Sequence, residues 1–374
     1  MKLILLLLAS VLTLLGRFRV HAFPSTTSTT TGVANVNDSR QLSSCQPTCS
    51  LTTRMAALSS NSEGFTAEQD VLLSSGVSMH VLTSLPKNKN TNKPTLLFAH
   101  GSFHGAWCWA EHFFPYFTAL GYPVVALSWR GTGGTFAGEG VKKVKIMEHV
   151  ADLEALLDQL ESVVGLSSAQ KPVLIAHSFG SLAIMKGLEA HPERARNLRG
   201  IAILCGVPPS GNGRLTMRTL QRSLVDSWKI TAGFAMKRCT KKPDLCRDLF
   251  FGGPVYERPD GTLEDHGISD QDVERYQSYF ARDSAATIDL LDLAKILPSA
   301  QAVDGVAPFA KDLPPCLVLG ATRDFIVDEP GNEETARYFG LDNPVMVDSP
   351  HDVMLGSNWR YAADALAKWL RDLE

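Results

Sequence analysis

From about Glu63 onward the chain alternates short apolar runs with longer segments of helical spacing. Val71–Ser74 and Val77–Thr83 flank Ser75-Gly76 and predict a hairpin. Thr95–Ala99 runs into His100-Gly101 and is too short for a helix, so it predicts a buried strand. Val124–Leu127, Val173–Ala176, Ile201–Leu204, Leu317–Gly320 and Val345–Val347 read the same way. Between them lie helical patterns at Trp107–Leu120, which stops at Gly121, and at Phe179–Ala190 and Arg360–Leu373. Glu148–Val164 is amphipathic, with Val150, Leu153, Leu156, Leu157 and Leu160 on one side. Strands alternating with helices predict an α/β class, with a mostly parallel sheet covered on both faces. The alternation stops between about Val207 and Leu313, where helical pattern takes over before strands resume. The expected organisation is a core of residues 63–206 and 314–374, with a helical cap at 207–313 over the carboxyl ends of the strands.

The first 62 residues do not continue this pattern. Lys2 precedes the apolar run Leu3–Leu15, and Val20-His21-Ala22 places small residues at a cleavage position, which predicts a signal peptide over residues 1–22. Phe23 to about Asn61 is rich in Ser and Thr, carries Arg40 and Arg54 against the single acid Asp38, and has too little apolar material for a core. Ala22-Phe23-Pro24 resembles the Phe-first junction of bipartite leaders in algae with complex plastids. That resemblance implies passage through the ER and into the plastid. The alternative is secretion, with Asn37-Asp38-Ser39 as a glycosylation sequon.

Composition narrows the partners. The formal net charge is −3, which gives no global attraction to nucleic acid. Seven cysteines in loose spacings, with no paired Cys or Cys/His group at zinc spacing, predict no metal site. Cys205 and Cys316 sit in strand-like runs and read as small core residues. Cys45 with Cys49, or Cys239 with Cys246, are possible pairs in an oxidising compartment. Arg214, Arg218 and Arg222 recur every fourth residue and share one helix face. Either they form a solvated face, or they rest on an anionic membrane beside Leu215, Leu220, Leu224, Trp228 and Phe234.

Ala176-His177-Ser178-Phe179-Gly180 carries the strongest chemical signal, because it joins an apolar strand to a helix. It has the form of a G-x-S-x-G nucleophile elbow with Ala replacing the first Gly. Such a turn needs small neighbours and lifts the hydroxyl to a helix N-terminus. Alone, the motif also fits a serine that merely caps a helix. A serine nucleophile requires a base, and the base an acid that orients it. Asp324 follows the strand CLVLG, and His351 follows the strand VMV, so both lie at the sheet edge that carries Ser178. Asp328, Asp348 and Asp352 compete for the acid role, but Asp324 is nearest its strand end. An oxyanion hole needs backbone N–H donors. Phe179 is the expected first donor and Ser102 the second, with Phe103 as runner-up. His100 and His104 are expected to be structural.

His-Gly-x-x-His-Gly-Ala-Trp at 100–107 resembles the oxyanion loop of plant methylesterases and hydroxynitrile lyases. Ser-Pro-His-Asp-Val-Met-Leu at 349–355 is similar to their catalytic-histidine segment. The resemblance covers residues 95–206 and 315–374 and leaves the cap unmatched. It implies the α/β-hydrolase fold, no cofactor, and catalytic roles for Ser178, Asp324 and His351, with Ser102 and Phe179 as oxyanion donors. The expected activity is cleavage of a hydrophobic carboxylic ester through an acyl-enzyme. A more distant resemblance, of location and chemistry only, is to plastid enzymes that remove phytol from chlorophyll. A hydroxynitrile-type lyase using the same three residues, and a non-catalytic binding protein, are the alternatives. Epoxide hydrolases and dehalogenases are disfavoured because they use Asp at the elbow.

Overall fold

The computed structural model describes residues 65–88, 92–165, 170–252, 256–257, 263–264 and 267–374. The leader and Cys45 with Cys49 lie outside the described residues. Twelve strands follow in chain order: β1 (Phe65–Leu72), β2 (Ser78–Leu85), β3 (Leu96–Ala99), β4 (Val124–Leu127), β5 (Lys143–Val144), β6 (Val173–His177), β7 (Gly200–Leu204), β8 (Tyr256–Glu257), β9 (Leu263–Glu264), β10 (Thr287–Ile288), β11 (Cys316–Ala321) and β12 (Val345–Val347). Eight of them form one sheet in the order β1-β2-β4-β3-β6-β7-β11-β12. β1 with β2 and β2 with β4 pair antiparallel, and the remaining neighbours are parallel. The predicted hairpin is present and begins six residues before Val71. Gly76 closes its turn at φ +82°, a conformation open to glycine.

The central strands are buried along their whole length. Alternate residues feed two cores, one on each face. Leu96 and Phe98 join Trp109, Phe113 and Phe117 on one face. Leu97 and Ala99 join Leu153, Leu156 and Ile184 on the other. Phe98 lies 4.7 Å from Trp109 between ring centroids, so truncating it to Ala would cost about 3–5 kcal/mol.

Two predicted helices are broken. Trp107–Leu120 divides into Trp107–Ala110 and Phe113–Ala119. Pro115 is the reason: its ring collides with the carbonyl of Glu111 in a continuous helix, and it has no N–H to bond there. Glu148–Val164 divides at Gln159 into Ile146–Asp158 and Leu160–Val164. The first half starts earlier than predicted because the Glu148 carboxylate accepts the Lys145 N–H at 2.9 Å.

The segment between β7 and β11 is rich in helix, with Asn212–Arg222, Leu224–Phe234 and Asp270–Arg282 the longest. It also contains the β8–β9 pair, and β10, which pairs in parallel with β5 before helix Ile146–Asp158. Asp283 ties this segment down: its carboxylate accepts from Trp107 Nε1 at 2.8 Å and from the Gly133 N–H at 2.9 Å. Cys239 and Cys246 are both free and buried, so the pairing entertained for them is not formed. Burial pushes the Cys239 thiol up to about 12. Cys205 is buried as expected, and Cys316 is half-buried.

Candidate functional site

The parallel strands end together, because Ala99 pairs with Ala176, Ala176 with Ile203, and Ala321 with Val347. Ser178, Cys205, Asp324 and His351 therefore leave the sheet at one edge. The step from β6 to helix Gly180–Ala190 is a single sharp turn with Ser178 at φ +52°. A non-glycine residue there stores about 1–3 kcal/mol of strain. The surroundings over-determine it. The Ser178 N–H donates to Leu204 O at 3.1 Å, and its carbonyl accepts from Ser181 N, Ser181 Oγ and Val207 N within 3.1 Å. Glycine is required beside it. A Cβ on Gly101 would sit 2.7 Å from Ser178 Cβ, and one on Gly180 would sit 2.7 Å from His100 O. Position 176 tolerates the extra methyl of Ala, which is fully buried beside Ala99.

Ser178 Oγ lies 3.0 Å from His351 Nε2, and His351 Nδ1 lies 2.8 Å from Asp324 Oδ2. The other Asp324 oxygen accepts the Ile326 and Val327 N–H groups at 2.7 and 2.9 Å, so the carboxylate is fixed in orientation. Burial alone would lower the His351 pKa, but the charge and hydrogen bond of Asp324, with Asp352, outweigh it and raise it. Cys205 also reaches Asp324. Burial pushes its thiol well up, and the Asp324 charge adds to this, so it remains a protonated donor.

The three competing acids are occupied elsewhere. Asp328 caps helix Glu329–Tyr338 and holds Arg218 through two 2.7 Å bonds. Asp348 holds Arg323 at 2.7 Å, and Asp352 lies 2.9 Å from His104 Nε2.

The loop at 100–105 is organised by its two histidines. His100 Nδ1 donates to Gly101 O and His104 Nδ1 to Ser102 O, both at 2.7 Å. In a trans peptide the N–H points opposite to its carbonyl. Holding those two carbonyls therefore turns the Ser102 and Phe103 N–H groups the other way. Phe103 takes φ +68° to make this possible. Burial lowers the His100 pKa to about 3, so it stays neutral while its Nε2 accepts from Trp129 N at 3.1 Å. His177 is likewise kept neutral by burial and donates to the His351 carbonyl at 3.0 Å. The structural expectation for His100 and His104 missed the partner Asp352, and periodicity offered no signal for it. Among the described residues, two groups have metal-like proximity, His177-His351-Asp352 and Cys205-Asp324-His351. Both contain the histidine that already bridges Asp324 and Ser178, so a metal there would compete with that bridge.

A cavity of about 430 Å³ adjoins the elbow and is lined by Gly101, Ser102, Phe103 and Phe179 on one side. Leu215, Ile230, Phe234 and Leu290 close it from the inserted segment. The shared basic face does not stand free. Arg218 is bound to Asp328, Arg214 lies 4.0 Å from Glu334, and Arg222 is exposed. Leu224 and Val225, just beyond Arg222, are exposed apolar residues.

Comparison with known proteins places this architecture. The chain is 28% identical over 108 residues to Methylesterase 2 of Arabidopsis thaliana, covering 29% of this chain and 38% of that protein. It is 27% identical over 110 residues to Epoxide hydrolase A of Mycobacterium tuberculosis, covering 29% and 32%. The matched segment thus spans about a third of the length of these relatives. Among solved structures, epoxide hydrolase VrEH1 from Vigna radiata superposes with a TM-score of 0.53 at 19% identity, over 84% of this chain and 100% of that one. A thermophilic esterase from Thermogutta terrifontis superposes with a TM-score of 0.54 at 15% identity, over 82% and 98%. The family model described as "Alpha/beta hydrolase family" matches residues 96–367, and with most of the chain inside that match, this protein belongs to the alpha/beta hydrolase family.

Proposed function

We propose that this hydrolase cleaves a hydrophobic carboxylic ester through an acyl-enzyme on Ser178. The observation that carries the reading is the continuous Ser178–His351–Asp324 hydrogen-bond chain at the elbow. His351 takes the Ser178 proton as Oγ attacks the carbonyl, then delivers it to the leaving alcohol. Water, deprotonated by the same histidine, releases the acid. The N–H groups of Phe179 and Ser102 would stabilise the oxyanion, with Phe103 the alternative second donor. A hydroxyl at the elbow favours this over an epoxide-opening carboxylate. A hydroxynitrile-type lyase needs a cation facing its substrate. In the cavity wall Arg130 is taken by Asp152 and Glu148, and Lys237 by the Ser284 carbonyl. The test is fluorophosphonate labelling followed by kinetics on p-nitrophenyl esters of graded acyl length. Ester turnover without any labelled enzyme would sink the acyl-enzyme.

Residues 207–313 serve in this proposal as the cap, and their basic helix bears on membrane contact. Arg218 belongs to the cap–core joint, so Arg218→Gln should lower stability by about 1 kcal/mol, read as a lower thermal midpoint. Arg214 and Arg222 are the residues left to meet an anionic surface. At about 1 kcal/mol each, changing both to Gln should weaken binding to anionic vesicles about 30-fold at low salt. Vesicle binding that survives the double change shows that the charge is only solvated surface.

The leader reading remains a proposal of plastid delivery. Residues 1–62 fused to a fluorescent protein should enter the plastid of an alga with a complex plastid, and replacing Phe23 should divert it. Secretion of the unaltered fusion is the opposing result.

A further inference from the structure

The loop at 100–105 is held from two sides. Its near end is fixed to the core through His100, whose Nε2 accepts from Trp129 N. Its far end and Trp107 just beyond it lie against helix Asp270–Arg282 of the inserted segment. Phe280 of that helix packs edge-on against His104, with ring centroids 4.7 Å apart. Tyr276 and Tyr279 lie 5.6 and 4.7 Å from the Trp107 ring. Trp107 in turn stacks on His104 at 5.7 Å, with the ring planes 22° apart. His104 Nδ1 donates to the Ser102 carbonyl, whose peptide carries the Phe103 N–H. A chain of contacts therefore runs from this helix to an oxyanion donor.

Asp283 locks this chain. It follows the last turn of the helix, donates its N–H to Tyr279 O at 2.8 Å, and is 1% exposed. One carboxylate oxygen accepts from Trp107 Nε1 at 2.8 Å, the other accepts from the Gly133 N–H at 2.9 Å, and Arg282 donates to both. Burial opposes the charge, but the bonds from Arg282 and the Gly133 N–H outweigh it and hold the Asp283 carboxyl below the usual carboxylate range. An ionised carboxylate only accepts, so all four bonds are made at once. The fit leaves no slack. A Cβ on Gly105 would sit 3.0 Å from Asp283 Oδ2 and 3.1 Å from Gly133 Cα.

We infer that Asp283 is a positioning residue for the oxyanion hole: it fixes Trp107, and through the Trp107–His104 stack the Ser102 carbonyl, so that the loop presents its N–H groups to the reacting carbonyl. The inference rests on the ester-hydrolase reading and adds that the cap completes the hole as well as covering the cavity. Outright loss of one oxyanion donor costs about 10²–10³-fold in kcat. A donor that is loosened but not lost should cost about tenfold.

The test uses Asp283→Asn, which turns an NH₂ toward one of the four donors, and Trp107→Phe, which keeps an aromatic ring beside His104 and removes the N–H. If Asp283→Asn folds poorly, Trp107→Phe carries the test. The probes are hexyl trifluoromethyl ketone and hexyl methyl ketone. Ser178 Oγ adds to the carbonyl carbon of the first, its proton passes to His351, and the carbonyl oxygen becomes an oxyanion in the hole. The second remains planar and reads the cavity alone. The native enzyme should bind the trifluoromethyl ketone about 10²-fold or more tighter than the methyl ketone. Both variants should cut that ratio about tenfold and leave methyl ketone binding unchanged. On p-nitrophenyl butyrate, kcat should fall about tenfold with KM and the acid limb of the pH profile in place, because Asp283 touches neither the cavity occupant's chain nor His351. A native ratio near one removes the oxyanion reading and this inference with it. A large native ratio that the variants leave unchanged overturns the inference alone, and so does equal weakening of both ketones, which marks Asp283 as a support of the cavity.

Discussion

Ser178→Ala is expected to abolish fluorophosphonate labelling and to lower kcat on p-nitrophenyl esters by at least about 10⁵-fold, with the fold retained. The hydroxyl is the nucleophile in the proposed reaction, and it donates at 3.0 Å to His351 Nε2, the base that takes its proton. Residual turnover above water would come from the oxyanion donors and from binding, which the substitution leaves in place. The fold should survive because the backbone of residue 178, not its hydroxyl, is woven into the structure. Its N–H and carbonyl make the bonds to Leu204, Ser181 and Val207. Alanine must still take the left-handed φ of +52° that serine takes, at similar strain. Circular dichroism and the thermal midpoint check the fold, and intact-protein mass spectrometry checks the label. A variant that folds normally and still labels would place the nucleophile elsewhere.

How far the sequence discloses this arrangement depends on the range of the interactions. The strands β3, β4, β6, β7 and β11 were legible because residues buried on both faces must form continuous apolar runs, whereas β12 is an edge strand with Val345 exposed and was legible only from its three apolar residues. The candidate site was legible for a related reason. Ser178, Asp324 and His351 each follow a strand end, and parallel strands deliver their ends to one edge. The helix break at Glu111–His112 was legible in principle from Pro115, but apolar spacing continued across it and hid it. The pairs that cross the molecule were not legible. His104 and Asp352 are separated by 248 residues, and Arg218 and Asp328 by 110. No local period records such a contact. The basic face at Arg214, Arg218 and Arg222 is a true helical stripe, yet the same spacing fits docking on Asp328 and exposure to solvent. The short pair of β10 with β5 was hidden in the same way, since two-residue strands carry no period at all.

Asp324→Asn should lower kcat by about 10⁴-fold while leaving KM and the thermal midpoint comparatively little changed. The carboxylate accepts from His351 Nδ1 at 2.8 Å, which keeps the lone pair of Nε2 facing Ser178. An amide that places its NH₂ there would stabilise the opposite tautomer, with the proton on Nε2 and no base available. The pH profile separates this role from a structural one. In the native enzyme His351 must be neutral to act, and Asp324 holds its pKa above the ordinary 6.5. Activity should therefore be full at higher pH and fall as pH drops through a value above 6.5. Without the carboxylate charge, burial dominates and lowers that pKa, so the small remaining activity should persist to more acid pH. Asp352→Asn provides the contrast. Asp352 is buried against His104, and breaking a buried pair costs roughly 3 kcal/mol, so its main effect should be on the thermal midpoint. Asp328→Asn should loosen Arg218 and the cap joint while leaving kcat within about tenfold. If Asp352→Asn or Asp328→Asn proved the variant with the 10⁴-fold loss, and Asp324→Asn kept its acid limb in place, the orienting carboxylate would have to be reassigned. Equal losses in kcat and thermal midpoint for Asp324→Asn would instead mark it as a support of the loop, held there by the Ile326 and Val327 amides.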